Sequence, residues 1–288
     1  MTSPIEPRTA SLYHAPGGSA VEPWTAAAIV MAAMATYLVV AMLVPSRFMV
    51  LAAQAALAAV PIAGLVLARR AGEPRPRARE VPPAVGIEPA PSLRVRAALG
   101  LGRARPRSFL AAVAVGATAW YLNMRIVAAL PLPDRHARAL AALVDQPSLG
   151  AALAMFALVP AVCEEILFRG VLARAVGRRA PLVVAAAISA AVFSAYHLSL
   201  VQALPTLTLG FVLGVIAIRA DSVLPTIVAH ALNNALAIAM SRGELPEIAA
   251  WMERHPTAAL GGCAAATALG VAIAVRDPAR RPRRPTPR

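Results

Sequence analysis

Residues 149–173 read LGAALAMFALVPAVCEEILFRGVLA, an apolar run that is interrupted only by Glu164, Glu165 and Arg169. A helix rises about 1.5 Å per residue, so a helix over this run can cross a hydrocarbon core about 30 Å thick. The run therefore predicts a transmembrane helix with three ionisable side chains well inside the bilayer. Because a charged side chain at that depth is costly, we interpret these residues first as a functional site.

Similar apolar runs lie on both sides of this one, at 25–45, 49–68, 108–129, 181–200, 203–219, 222–240 and 256–275. The fifth and sixth runs of the chain are separated only by a short polar step, so the number of crossings is seven or eight. With 59% hydrophobic residues in such blocks, the 288-residue chain is far too apolar for soluble domains. The predicted fold class is all-α, a polytopic membrane helix bundle of about eight transmembrane helices.

The runs also predict how the chain is divided. The expected segments are a cytoplasmic N-terminal tail at 1–24, N-terminal transmembrane helices at 25–130 with an Arg/Pro-rich cytoplasmic loop at 70–107, a transmembrane core at 148–241, a last transmembrane helix at 256–275 and a basic cytoplasmic tail at 276–288. Near the end of the long loop, four apolar residues lie among four or five arginines, which predicts a short helix lying in the membrane interface: Leu93, Val95, Leu99 and Leu101.

Positive charge is distributed unevenly along the chain, whose net charge is +14 and whose basic residues are all arginines. The loop 69–107 holds ten arginines and the tail 276–288 holds six; counted by alternate loops, 21 fall on the side of the termini and five on the other. The positive-inside rule therefore predicts cytoplasmic termini. We expect the basic loops to contact anionic lipid and no nucleic acid. The arginine-, alanine- and proline-rich composition is typical of a GC-rich bacterial genome, hence of a bacterial inner (cytoplasmic) membrane.

Polar residues inside the apolar runs form a small group. Of the fourteen carboxylates only Glu164 and Glu165 lie deep within a run, and of the five histidines only His197 and His230 do. Asn234 follows His230 by one helical turn, so both side chains project from one helix face. Two carboxylates, two imidazoles and an amide can together supply a general base and donors for a developing oxyanion.

Helical spacing assigns partners within this group. Glu165 and Arg169 are four residues apart, in the order that favours an ion pair along a helix. Glu164 points about 100° away from Glu165 and has no partner nearby in sequence. Phe193 precedes His197 by four residues and is expected to pack against its imidazole.

Three segments resemble the motifs of a family of intramembrane proteases, the CAAX-protease and bacteriocin-processing (CPBP, or Abi) family. Glu164–Arg169 fits its EExxxR motif, Phe193–His197 its FxxxH motif and His230–Asn234 its HxxxN motif. The motifs occur in the family's order, so the resemblance makes 148–241 the catalytic core. It implies an endopeptidase that cleaves a membrane-associated protein or peptide, near its C-terminus or within it.

The same resemblance implies a role for each motif residue. Glu164 would activate water together with His197, and His230 and Asn234 would stabilise the tetrahedral oxyanion. Glu165, Arg169 and Phe193 would support the site. No cofactor is required in this interpretation.

Two alternatives stay open at the level of sequence. Glu164, His197 and His230 match a catalytic His₂Glu zinc set in residue type, although no HExxH motif is present and asparagine is a poor zinc ligand. A membrane carrier or bacteriocin-immunity protein could instead use the same residues for binding or for proton relay. No internal repeat typical of secondary transporters is found, which disfavours the carrier.

The depth of each polar side chain in the membrane can be estimated if the helices are straight. Counted from the cytoplasmic helix ends, Glu164 and His230 lie at about 15 Å and His197 at about 25 Å, a mismatch of about 10 Å. The shallower pair favours a cavity that opens to the cytoplasm. Pro160, inside the run, is expected to kink its helix or to free a carbonyl near Glu164.

Overall fold

The computed structural model describes residues 21–44, 46–72, 96–131 and 134–277, so most of both tails and of the loop 70–107 lies outside the described residues. Within those ranges the chain is helical and contains no strand. The helices are α1 (Pro23–Leu43), α2 (Ser46–Gly72), α3 (Pro106–Ala128), α4 (Asp134–Asp145), α5 (Leu149–Val176), α6 (Leu182–Tyr196), α7 (Leu200–Ala220), α8 (Leu224–Ser241), α9 (Pro246–Arg254) and α10 (Pro256–Val275).

Seven of the described helices are long and apolar enough to cross a membrane: α1, α3, α5, α7, α8, α10 and the part of α2 over Val50–Leu67. The remaining predicted run, 181–200, forms α6, which is equally apolar but has only 15 residues. Many large apolar side chains point outward, as expected of helices that face lipid, among them Trp24, Met31, Met42, Leu67, Leu110, Val183 and Leu269. The predicted polytopic membrane helix bundle is confirmed.

Two apolar clusters form the core. One joins α1, α2, α5 and α6, and the other joins α3, α7, α8 and α10. Small residues bring the helices of the second cluster close together: a methyl group on Gly116 of α3 would lie 2.5 Å from the Ala229 carbonyl oxygen of α8. A methyl group on Gly214 of α7 would likewise lie 3.1 Å from the Cα atom of Ala186 in α6. Close approach at small residues replaces the hydrophobic driving force that is missing between helices in lipid.

Residues 96–105, called here the cap segment, close one end of the bundle. Leu99 is only 3% exposed and belongs to the first apolar cluster, so it is buried against the bundle, while Leu93 and Val95 lie outside the described residues. The chain reverses at Gly100, whose φ of 72° favours glycine. A methyl group on Gly170 of α5 would lie 2.4 Å from the Leu99 carbonyl oxygen, so glycine is needed for this close contact.

A polar cluster at the same end ties α10 to α3. Asp277 is buried and accepts hydrogen bonds from Arg105 at 2.8 Å, from Ser108 at 2.7 Å and from Arg107. Burial by itself would raise the pKa of the Asp277 carboxyl, but the hydrogen bonds from Ser108 and the two arginines outweigh it and hold that pKa below its ordinary value.

Candidate active site

Helix α5 is continuous but contains two π-helical stretches, Leu153–Leu158 and Glu165–Ala173. A π-helical turn holds more residues than an α-helical one, so it changes the direction in which the following side chains point, and such turns are frequent at functional sites. The second stretch begins at Glu165, next to Glu164.

Pro160 lies between the two stretches and frees a carbonyl, as expected. It has no N–H to donate to the carbonyl oxygen of Phe156, four residues earlier. Asn234 Nδ2 donates to that oxygen at 3.2 Å, and Asn234 Oδ1 accepts from Asn233 Nδ2 at 3.2 Å. The proline in α5 thus provides the acceptor that positions an amide from α8.

Glu165, Arg169 and His230 form a fully buried cluster. Arg169 Nη1 donates to Glu165 Oε1 at 2.8 Å, and both side chains are 0% exposed. His230 Nδ1 lies 2.9 Å from the same oxygen, which makes it the donor when Glu165 is ionised. The Arg169 guanidinium also stacks on the Phe193 ring at 4.3 Å. Glu165, Arg169 and Phe193 are therefore held to one another and to His230.

Glu164 is held differently from its neighbour. Its Oε1 accepts a hydrogen bond from Gln54 Nε2 of α2 at 2.9 Å, and its Oε2 lies 3.8 Å from His230 Nε2. The second distance is too long for a hydrogen bond. One oxygen of Glu164 is therefore fixed by an amide, while the other faces His230.

His197 caps the end of α6 and has a defined tautomer. Its Nδ1 lies 2.9 Å from the Phe193 carbonyl oxygen, which can only accept, so Nδ1 carries the proton and Nε2 is left as an acceptor in the neutral ring. Leu198, the next residue, has a φ of 49°, which leucine rarely adopts. This sharp turn reverses the chain and leaves His197 half-buried at the edge of the bundle.

The Phe193 ring brings both histidines together. It packs edge-on against His197 at 4.8 Å and against His230 at 5.9 Å between ring centroids. His197 and His230, from the end of α6 and from α8, therefore border the same aromatic ring. The start of α8 rests on the cap segment, where Val223 N donates to Gly100 O at 2.9 Å.

A cavity of about 860 Å³ joins these residues. Glu164, His197, His230 and Asn234, the four residues assigned to catalysis from the sequence, all line it. Glu165 and Arg169 are not among its lining residues. The lining also includes polar residues that the motifs do not specify: Tyr37, Gln54, Asn123, Tyr196, Gln202, Thr206 and Asn233.

Gln54 is the residue that sequence reasoning missed. It is 5% exposed, and its amide is the hydrogen-bond partner of Glu164. A signal was present, because Gln54 is the only polar residue in the apolar run 49–68. Without the structure, nothing in the sequence pairs α2 with α5.

Residues 146–236 match the model of a protein family described as Rce1-like, type II CAAX prenyl endopeptidase Rce1-like. The matched segment contains all three motifs. The resemblance to the CAAX-protease family is confirmed. The match supports a CAAX-type intramembrane endopeptidase in an integral membrane protein. Gln54 and the helices α1 to α3 lie outside the matched segment. Comparison with curated proteins and with solved structures gave no match.

A zinc ion would need Glu164, His197 and His230 to converge on one point. Among the residues that the structure describes, no three His, Cys, Asp or Glu side chains converge closely enough to hold a metal ion. Nδ1 of His230 is engaged by Glu165, and Nδ1 of His197 by a backbone carbonyl, which leaves Nε2 of each ring as the atom that a metal would use.

Proposed function

We propose that the chain is an intramembrane endopeptidase in which Glu164 and His197 activate a water molecule and His230 and Asn234 stabilise the oxyanion. Its substrate would be a membrane-associated protein or peptide, cleaved near its C-terminus or within it. One observation carries the proposal: side chains from α5, α8 and the end of α6, far apart in sequence, line a single cavity.

The charges of the buried side chains support Glu164 as the general base. When ionised, Glu164, Glu165 and Arg169 carry one negative charge in excess, in a site almost without solvent contact. Excess charge is expensive in a medium of low dielectric constant. Arg169 binds Glu165 and not Glu164, so Glu164 is the carboxylate that is available to accept a proton.

Water activation follows from these positions. Glu164 accepts a proton from water as the water oxygen attacks the peptide carbonyl carbon, and the Gln54 hydrogen bond holds the carboxylate in place. His197 Nε2 is the second acceptor on the cavity wall. When the C–N bond breaks, the proton taken from water is returned to the leaving nitrogen, which completes hydrolysis without another reactant.

Oxyanion stabilisation is assigned to α8. A doubly protonated His230 can donate through Nε2, and Asn234 retains a second N–H beyond the one that binds Phe156 O. Donors fixed before the reaction act strongly because they need no reorganisation. The carbonyl oxygen of Phe156 fixes Asn234, and the carboxylate of Glu165 fixes His230.

The test is cleavage of a membrane-embedded peptide library by the purified protein in lipid vesicles. Wild type is compared with Glu164→Gln, which keeps an acceptor for Gln54, and with Glu247→Gln, the same change on the exposed helix α9. We expect cleavage by wild type and by Glu247→Gln, and a loss of about 10²-fold or more in Glu164→Gln.

Each reaction is repeated with a chelator to test the metal-free chemistry. Unchanged turnover is expected. Loss of turnover on chelation that zinc restores would contradict the metal-free route and support Glu164, His197 and His230 as ligands. Cleavage that persists in Glu164→Gln would refute the role of Glu164.

A further inference from the structure

The active-site cavity is confined to one half of the bundle. Its lining comes from the ends of α3 and α6, the starts of α2 and α7, and the half of α8 that begins at His230. In α5 the lining stops at Glu164, and in α7 it stops at Leu209. All these positions lie toward the end of the bundle that holds the α6–α7 turn. This end of the bundle is called the cavity end.

The opposite end is sealed by the cap segment. Ser222 Oγ donates to the Gly102 carbonyl oxygen at 2.6 Å, and Arg174 Nη1 donates to that of Ala97 at 2.8 Å. Arg174 also pairs with Asp221 at 2.8 Å. The cap segment is thereby fixed to the end of α5 and to the α7–α8 turn, and none of its residues lines the cavity.

The arginines mark the sealed end as cytoplasmic. In the described ranges this end carries eleven arginines, Arg69, Arg70, Arg96, Arg103, Arg105, Arg107, Arg174, Arg178, Arg179, Arg219 and Arg276, whereas the cavity end carries six, Arg47, Arg125, Arg135, Arg138, Arg242 and Arg254. The rest of the loop 69–107 and of the tail 276–288 enters or leaves the bundle at the sealed end. By the positive-inside rule the cavity end faces away from the cytoplasm.

A second cavity extends the first toward the membrane surface. It has a volume of about 790 Å³ and shares six lining residues with the first: Trp120, Met124, Val144, Val201, Ala237 and Ile238. It continues to α9 and to Pro256, at the start of α10. Its methionines, Met124, Met240 and Met252, give an adaptable apolar wall. Together the two cavities offer room for an apolar polypeptide segment that descends from the outer interface to Glu164.

We infer that the site is entered from the outer, extracytoplasmic face, and that the substrate is a polypeptide whose scissile bond lies in the outer half of the bilayer. The hydrolysis in this statement rests on the proposed function, whereas the access route rests only on the cavity and the arginines. The expectation of a cytoplasmic opening, based on straight-helix depths, is replaced because the lining stops at Glu164 and His230 and extends outward from them.

The access route is tested by cysteine labelling in intact cells with a membrane-impermeant maleimide. The background is Cys163→Ala with Cys263→Ala, since both thiols are buried. Three single variants are compared: Gln202→Cys inside the cavity, Glu244→Cys on the surface of the cavity end, and Arg103→Cys on the surface of the cap segment.

We expect Glu244→Cys and Gln202→Cys to react in intact cells, and Arg103→Cys to react only after permeabilisation. Reaction of Arg103→Cys in intact cells would overturn the orientation. Protection of Gln202→Cys until permeabilisation, with Glu244→Cys reactive, would overturn entry from the outer face.

The substrate class is tested with two single-span reporters that carry the same cleavable segment, placed in the outer half of the bilayer in one and in the inner half in the other. At least a tenfold preference for the outer position is expected, absent in Glu164→Gln. Preference for the inner position would overturn the inference. If neither reporter is cut, the proposed hydrolysis fails, and labelling still decides the access route.

Discussion

Two carboxylate–guanidinium clusters in this molecule differ in their charge balance. At the sealed end Asp277 binds two arginines, and both arginines are partly exposed to solvent. In the centre of the bundle two buried glutamates lie beside one buried arginine, which binds only Glu165, and the other glutamate, Glu164, faces a cavity. A carboxylate with more than enough positive partners is suited to hold helices together. A carboxylate left over after its neighbour has taken the arginine is available to exchange a proton.

The largest effect should come from removing the central arginine. Arg169→Met leaves Glu165 buried without its cation, and breaking a buried pair in this way costs about 3–5 kcal/mol. We expect severe loss of folded protein, measured as yield and as melting temperature in detergent. The matched change at the sealed end, Arg105→Met, should cost about 1 kcal/mol or less because that pair is partly exposed. Equal losses in the two variants would show that burial does not distinguish the clusters.

A large effect on activity alone is expected at Asn234. Asn234→Ala removes a donor for the oxyanion and should lower kcat by about 10²-fold, as the loss of one such donor does elsewhere. The control is Asn233→Ala, whose side chain donates to Asn234 and should lower kcat by much less. A larger loss of kcat in Asn233→Ala than in Asn234→Ala would reverse the roles assigned to the two amides.

Gln54 should have an intermediate effect, as a positioning residue for Glu164. Gln54→Leu keeps the volume but removes the donor to Glu164 Oε1, and we expect kcat to fall about tenfold, about the value of one hydrogen bond to a charged group. KM should stay unchanged, because the residue acts on the base and not on the bound substrate. A rise in KM with an unchanged kcat would contradict the positioning role of Gln54.

The smallest effect is expected from acid at the sealed end. The folded-state pKa of Asp277 is lowered, so its contribution to stability is present above the ordinary carboxyl value and is lost as the pH falls through the folded value. Between pH 6 and about pH 3, the free energy of unfolding should therefore fall by about 1 kcal/mol more in wild type than in Asp277→Asn. Parallel pH profiles would show that the cluster contributes nothing to stability.

Much of the fold could be predicted from the sequence, because apolar runs report directly on crossing a bilayer. The motif spacing also anticipated that Glu165 pairs with Arg169 and that His230 and Asn234 share a helix face. These are relations within one helix, where the backbone geometry is known beforehand. Even Pro160 freed a carbonyl near the site, as its missing N–H required.

Relations between helices distant in sequence could not be predicted. Gln54 reaches Glu164 from α2, Leu99 enters the core from a loop, and Phe156 O meets Asn234. Periodicity gives the face on which a side chain lies, but not the helix that packs against that face.

The most direct test of the account compares Glu164→Gln with Glu165→Gln, the same change at adjacent positions, by measuring turnover and melting temperature of each purified protein. The account predicts that Glu164→Gln melts close to wild type but loses turnover by about 10²-fold or more, because it removes the base. It predicts that Glu165→Gln lowers the melting temperature strongly, because Arg169 and His230 lose their charged partner. A Glu164→Gln protein that turns over normally, or a Glu165→Gln protein as stable as wild type but inactive, would contradict the division of roles between the two glutamates.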